Sequence, residues 1–174
     1  MTVLTILEVP DPGLRAVATP IGAIDDGVRA TIADMFETMY AARGIGLAAT
    51  QVGIERRLFV MDLQEPEEEG GDPVRSPMVF INPEILSVSD ETSTYNEGCL
   101  SIPEQYAEVE RPARCRVKWQ DADGGNHEEE LDGLMATCVQ HEIDHLNGVL
   151  FTDHISKLKR DMLMKKLAKL RKAA

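Results

Sequence analysis

The chain is poor in cysteine, in aromatic side chains and in positive charge. Its three cysteines, Cys99, Cys115 and Cys138, include no C-x-x-C pair, which excludes a zinc ribbon, a thioredoxin-type motif and a disulfide framework. Unpaired thiols suit a reducing compartment, so a cytoplasmic setting is expected. One Trp, three Tyr and four Phe leave most of the core to aliphatic residues. No uncharged run approaches the length of a membrane span. The apolar start Val3-Leu4-Thr5-Ile6-Leu7 follows no basic segment and is cut short by Pro10 and Asp11, so no secretory signal is expected. Eighteen Lys and Arg against thirty Asp and Glu give a formal net charge of −12, which suits neither sequence-specific nucleic-acid binding nor an anionic membrane. At 174 residues and 43% hydrophobic content, one domain spanning residues 1–174 with a core of its own is expected.

What is present begins with His141-Glu142-Ile143-Asp144-His145. On a helix, positions i and i+4 lie one above the other, so both imidazoles can reach one ion. Neutral imidazole is a good ligand for zinc or ferrous iron, and Glu142 can serve as the base for a water activated there. Three protein ligands with an open fourth position make a catalytic site, whereas four make a structural one.

The third ligand must come from a short list. His127 and His154 lie in turn-flanked stretches that read as exposed. Cys115 alternates within Arg114-Cys115-Arg116-Val117-Lys118-Trp119, where simple burial is expected. Cys138, three residues before His141, shares its helix face but would leave an ion poorly enclosed. Cys99 stands in Asn96-Glu97-Gly98-Cys99-Leu100-Ser101-Ile102-Pro103, at a strand end where Gly98 permits a close backbone approach. Cys99 is preferred, with Cys138 the alternative.

A third segment, Gly44-Ile45-Gly46-Leu47-Ala48-Ala49-Thr50-Gln51, carries no charge. Its small residues let another group approach the backbone closely. Taken alone it reads as a helix end followed by tight packing; its glycine spacing is not a dinucleotide fingerprint.

Together the three segments resemble the motifs of the peptide deformylases, G-φ-G-φ-A-A-x-Q, E-G-C-φ-S and H-E-φ-D-H with φ apolar. Every motif position matches, in the same order. The resemblance implies a metal-dependent hydrolase that removes the formyl group from the N-terminal formyl-methionine of new polypeptides. It implies one divalent ion held by Cys99, His141 and His145, with Glu142 as general base and then acid. It places the developing oxyanion near the backbone N–H of Leu100 and the side-chain amide of Gln51. A peptide would lie along Gly44, Ile45 and Gly46 beside Gly98, with Leu134 and Cys138 around the methionine side chain; Thr137 is polar where the family often has an aliphatic residue. Ligand softness points to zinc, while the resemblance implies Fe2+ in the cell with Zn2+, Ni2+ or Co2+ able to substitute. Asp144, on a helix expected to be buried, needs a cation, and Arg111 is the expected partner.

Two other readings remain. H-E-x-x-H also serves metallopeptidases that cleave ordinary amide bonds, but these usually take their third ligand downstream, where only Asp153 and His154 stand. A structural zinc protein would require a fourth protein ligand, most plausibly Cys138.

Hydrophobic periodicity supplies the architecture. Val28, Ile32, Met35, Phe36, Met39 and Tyr40 define an amphipathic helix over 28–43. Strands are expected at 57–63, 79–82, 85–88 with Pro83 between them, 107–110 and 114–120, the last entering a hairpin at Asp123-Gly124-Gly125 toward 127–131. Residues 65–77 read as a loop. Residues 134–146 are apolar nearly all round, so this helix should run through the middle of the molecule, and Gly148 ends it. The result is an α+β fold of short antiparallel sheets packed around a central buried helix carrying the H-E-x-D-H motif.

Positive charge concentrates at the end. Residues 155–174 hold Lys157, Lys159, Arg160, Lys165, Lys166, Lys169, Arg171 and Lys172 against Asp161 alone, leaving the tail at +7 and the rest at −19. A basic amphipathic helix over 154–172 is expected, with Ile155, Leu158, Met162, Leu163, Leu167 and Leu170 as its apolar stripe. Two readings stay open: a terminal helix packed on the body by that stripe with its lysines in solvent, or, because the substrate implied above exists at the ribosome, a contact with ribosomal RNA.

Overall fold

The computed structural model describes residues 1–174 and is α+β, as expected. Helix α1 (Asp26–Ala41) is followed by β1 (Gly46–Ala48), β2 (Leu58–Met61), β3 (Met78–Val88), β4 (Thr92–Cys99), β5 (Ile102–Pro112), β6 (Cys115–Gln120) and β7 (Asn126–Leu131). Helix α2 (Gly133–Leu146) and helix α3 (Lys157–Ala173) complete the chain. Strands β1-β2-β3-β6-β7 form one sheet, β4 and β5 a second, and every strand pair is antiparallel.

Strand β2 shows how the sheet is held. Leu58 and Val60 join Val28, Ile32, Met35 and Met39 of α1 in one cluster, while Phe59 and Met61 join Ala136, Val139, Ile143 and Leu146 of α2 in another. Alternate side chains point to opposite faces, so a strand covered on both is apolar throughout, and all four β2 residues are buried. Helix α2 therefore lies between the large sheet on one side and the β4–β5 hairpin on the other. Its capture by the hairpin is polar: Gln140 donates to the carbonyl of Pro112 at 3.0 Å.

Three expectations need correction. Pro83 does not divide two strands; β3 runs through it, because the register with β6 shifts between Ile81 and Glu84 and the bulge there has no use for the N–H that proline lacks. Strand β5 is far longer than 107–110, and its partner β4 was unforeseen apart from the strand end at Cys99. The pairs on one face, such as Thr94 opposite Glu110 and Asn96 opposite Glu108, are polar and exposed, and the buried positions of the other face include the charged Glu97 and Arg111 beside Val109, so hydrophobic alternation is weak. Helix α3 starts at Lys157 rather than 154: Phe151–His154 is a separate 3-10 turn, and the Ser156 hydroxyl caps α3 by accepting from Lys159 N–H. Of its expected apolar stripe only Leu163 and Leu167 are fully buried, against Val9, Leu14, Ile102 and Phe151, with Ile155 partly so. Leu158 (71%), Met162 (52%) and Leu170 (36%) face outward.

Candidate metal centre and substrate groove

Helix α2 sets His141 and His145 one turn apart, with ring centroids 4.9 Å apart. The end of β4 delivers Cys99 to the same point. Cys99 Sγ and His141 Nε2 each lie 3.2 Å from His145 Nε2. Tetrahedral bonds of about 2.0–2.1 Å to nitrogen and about 2.3 Å to sulfur set ligand atoms roughly 3.3–3.5 Å apart, so these three atoms fit one small divalent ion. No other trio of His, Cys, Asp and Glu side chains is gathered this way. Cys138 does not join it, since its sulfur is not gathered with these three atoms; burial, with Glu142 and Glu97 nearby, pushes its thiol up to about 12.

Electrostatics favour a cation here. Burial opposes charge on His141, yet its hydrogen bonds to Cys99 and Glu97 and the nearby Glu142 outweigh this and raise its ring to about 10. His145 is driven the other way, by burial first and then by His141 and Arg111, and stays neutral. Burial raises Glu142 to about 7, close to the value a proton-transferring group needs at neutral pH. Its Oε2 is buried without a partner, and its Oε1 would be struck at 2.7 Å by any side chain at Gly46. The close approach permitted by β1 is thus made by the Glu142 carboxylate. Gly44 likewise makes room for Leu100, whose Cδ1 would sit 2.7 Å from an added Cβ.

Behind the centre runs a charge network whose middle member, Glu97, sequence reasoning did not assign. Glu97 accepts from Arg111 Nε and Nη2 at 2.7 and 3.0 Å and from His141 Nδ1 at 2.9 Å. Burial would raise its carboxyl, but those bonds hold it below the usual range. Arg111 also reaches Asp144 at 2.8 Å, the expected pair. Asp144 has a second partner that was not expected, His154, also at 2.8 Å. Glu97 stands within the E-G-C motif, which was the signal available; its contact with a residue fourteen positions later is a product of the hairpin. His127, by contrast, remains exposed beside Asp121.

Gln51 is buried in the 3-10 turn after β1. Its Oε1 accepts from Ala48 N–H at 2.9 Å, which fixes the amide so that Nε2 donates to Ser101 Oγ at 3.0 Å and faces Cys99 Sγ at 3.4 Å. Around these groups lies a groove of about 590 Å3, to which Gly44, Ile45, Gly46, Gln51, Gly98, Leu100, Leu134, Cys138 and Glu142 all contribute. The approach that Gly98 permits is made by the Tyr106 ring, 2.5 Å from where its Cβ would be, and not by open groove alone. Strand β1 is an edge strand, so its outer side is free to pair with an extended peptide.

A half-buried thiol and two buried imidazoles converging beside a carboxylate, at the bottom of a groove with a free strand edge, make a metal-dependent hydrolase. The family model described as polypeptide deformylase matches residues 3–161. Peptide deformylases of Rhizorhabdus wittichii and Zymomonas mobilis are each 62% identical, over 99% of this chain and 98% and 97% of theirs. The crystal structure of a peptide deformylase from Legionella pneumophila superposes with a TM-score of 0.89 at 42% identity, covering 99% of this chain and 97% of that one. The Ehrlichia chaffeensis enzyme in complex with actinonin gives 0.88 at 41%, covering 97% and 98%. The chain belongs to the polypeptide deformylase family.

Proposed function

We propose that the chain, acting as one domain, hydrolyses the formamide at the N-terminus of nascent formyl-methionyl polypeptides, releasing formate and a free amine. The observation that carries this reading is the unpartnered Glu142 carboxylate oxygen beside the Cys99–His141–His145 triangle, in a groove edged by β1. Cys99, His141 and His145 would hold one divalent ion, which when bound would supply Lewis acidity to a water and to the formyl C=O. Glu142 takes the water proton as oxygen adds to the formyl carbon, then delivers it to the nitrogen as the C–N bond breaks. On family resemblance, Gln51 Nε2 and the Leu100 backbone N–H donate to the oxyanion, each donor being worth about 10² to 10³ in rate. Main-chain pairing along Gly44–Gly46 gives affinity without regard to the peptide's later sequence. Leu134, Cys138 and Ile45 surround the first side chain.

Fe2+ is the proposed ion in the cell, on family resemblance, and the ligand set equally suits Zn2+. The free thiols support a cytoplasmic setting. The outward lysines of α3 support a contact with ribosomal RNA. Metallopeptidase action on ordinary amide bonds is not favoured. The deciding assay compares formyl-, acetyl- and unblocked methionyl peptides, with metal content measured on the same anaerobic sample. Hydrolysis confined to the formyl peptide is expected; equal rates on the acetyl peptide would overturn the reading.

A further inference from the structure

Thr50 stands at the one position that the motif G-φ-G-φ-A-A-x-Q leaves open to any residue. The structure gives it a definite contact. Thr50 is 1% exposed in the 3-10 turn Ala49–Val52, and its hydroxyl donates to the main-chain carbonyl of His145 at 3.1 Å. No other hydrogen bond joins this turn to α2. The carbonyl does not need it to be satisfied, since it also accepts from Gly148 N–H at 3.1 Å. A buried β-branched side chain is stiff at χ1, so the hydroxyl keeps one direction. Gln51 is the next residue. Ala48 N–H holds the oxygen of its amide, which fixes the amide within the turn but not the turn against the metal ligands. On the Cys99 side that placement is set by Gln51 itself; on the histidine side the one hydrogen bond is that of Thr50.

We infer that Thr50 is a positioning residue: by holding the His145 carbonyl, its hydroxyl sets the Gln51 amide against the metal ligands. This rests on the deformylase reading, in which Gln51 Nε2 donates to the oxyanion. Such a donor acts on charge that develops only in the transition state, so misplacing it lowers kcat and leaves KM nearly unchanged. Removing an oxyanion donor outright costs about 10² to 10³ in rate. A turn that shifts by a fraction of an ångström forfeits part of that, about 3- to 10-fold.

The test uses the metal-loaded enzyme and a short formyl-methionyl peptide, with metal content measured on each sample. Thr50→Val keeps the shape and loses the hydroxyl; kcat should fall by about 3- to 10-fold, with KM and metal content within about twofold of the wild type. Thr50→Ala should repeat that loss, which covers the case in which the valine variant does not fold. Thr50→Ser keeps the hydroxyl and should retain at least about half of the wild-type kcat. In a Gln51→Ala background, Thr50→Val should change kcat by less than about twofold, because the donor that Thr50 places is gone. Wild-type kcat in Thr50→Val or Thr50→Ala would overturn the inference. So would an equal loss with and without the Gln51 amide, which is what a merely structural role gives, or a loss of activity that follows loss of metal. An unchanged kcat in Gln51→Ala would instead overturn the oxyanion assignment, and a wild type that leaves the peptide intact would overturn the deformylase reading, in each case taking this inference with it.

Discussion

Helices α2 and α3 are of similar length, and both place apolar residues at helical spacing, yet they occupy opposite environments. Nine of the fourteen α2 residues are buried, among them Gln140, His141, Glu142 and His145, and most of those polar groups are tied to β4, β5 or each other. Helix α3 buries Leu163 and Leu167 and little else. Its positive charges reach solvent; Lys157 pairs only with Asp161 one turn away, at 3.2 Å with both side chains more than half exposed, a pair worth well under about 1 kcal/mol. Polarity inside α2 is therefore chemistry, because a buried polar group persists only where partners or a ligand offset its desolvation. Polarity on α3 has no such cost, so it is free to serve solubility or a polyanionic partner.

The sharpest test of that contrast is Glu142→Gln. It should retain the metal and lose about 10² to 10⁴ in kcat, since the ligand set survives and the proton carrier does not; keeping more than a tenth of wild-type turnover would remove Glu142 from its role. Next is Glu97→Gln, which leaves Arg111 with Asp144 as its one remaining carboxylate partner. Losing one of two buried carboxylate partners should cost about 1–3 kcal/mol of stability, and loosening His141 should weaken metal retention by about 10- to 100-fold in a chelator competition. If Glu97→Gln melts and holds metal like the wild type, the network is ornamental.

On the other helix, Leu163→Ala should destabilise by about 2–4 kcal/mol in denaturant titration, with kcat on a short peptide little changed for the folded fraction. This also means that deleting residues 157–174 is a poor probe of the tail, since it would cut the cluster with Val9, Leu14 and Phe151. Replacing Lys159, Lys165, Lys166 and Lys169 by Gln is the cleaner change. Peptide turnover should stay within about twofold, while co-sedimentation with ribosomes at low salt should fall severalfold if phosphate contacts are made. Unchanged sedimentation would leave α3 as packing alone.

The smallest effect concerns the turn that leads into α3. Asp153 accepts from Arg15 at 2.6 and 3.1 Å; burial opposes ionisation, but that bond and Leu150 N–H hold its carboxyl below the ordinary value. A depressed carboxyl stabilises the fold at pH values above its unfolded value, and that contribution disappears as pH falls through the lowered one. Asp153→Asn should thus cost under about 1 kcal/mol at neutral pH, the pair being partly exposed, and should cost nothing once the solution is acid enough to protonate Asp153. An equal cost at both pH values would point to the lost backbone bond instead.

Much of this was legible in the residues. The i, i+4 histidines with an adjacent acid define a helical metal face because helix geometry is local, and α1 and α2 came within two residues of their expected limits for the same reason. Uncharged, small-residue stretches announce close approach, and at Gly44 and Gly46 the approach is real. The hairpin β4–β5 is hard to read from sequence because its buried face mixes Val109 with the charged Glu97 and Arg111, and the continuity of β3 is hidden because a bulge that accommodates Pro83 leaves no local trace. Sequence alone determined which residue types could bind a metal and move a proton, since those are properties of side chains and their spacing on one element. Only the tertiary structure decided that Cys99 rather than Cys138 completes the triangle, that Glu97 and Arg111 stand behind His141, that His154 shares Asp144, and that the Thr50 hydroxyl reaches the His145 carbonyl. Each of these depends on which elements pack together. Distance between side chains far apart in sequence, and the desolvation that follows burial, are set by the whole fold.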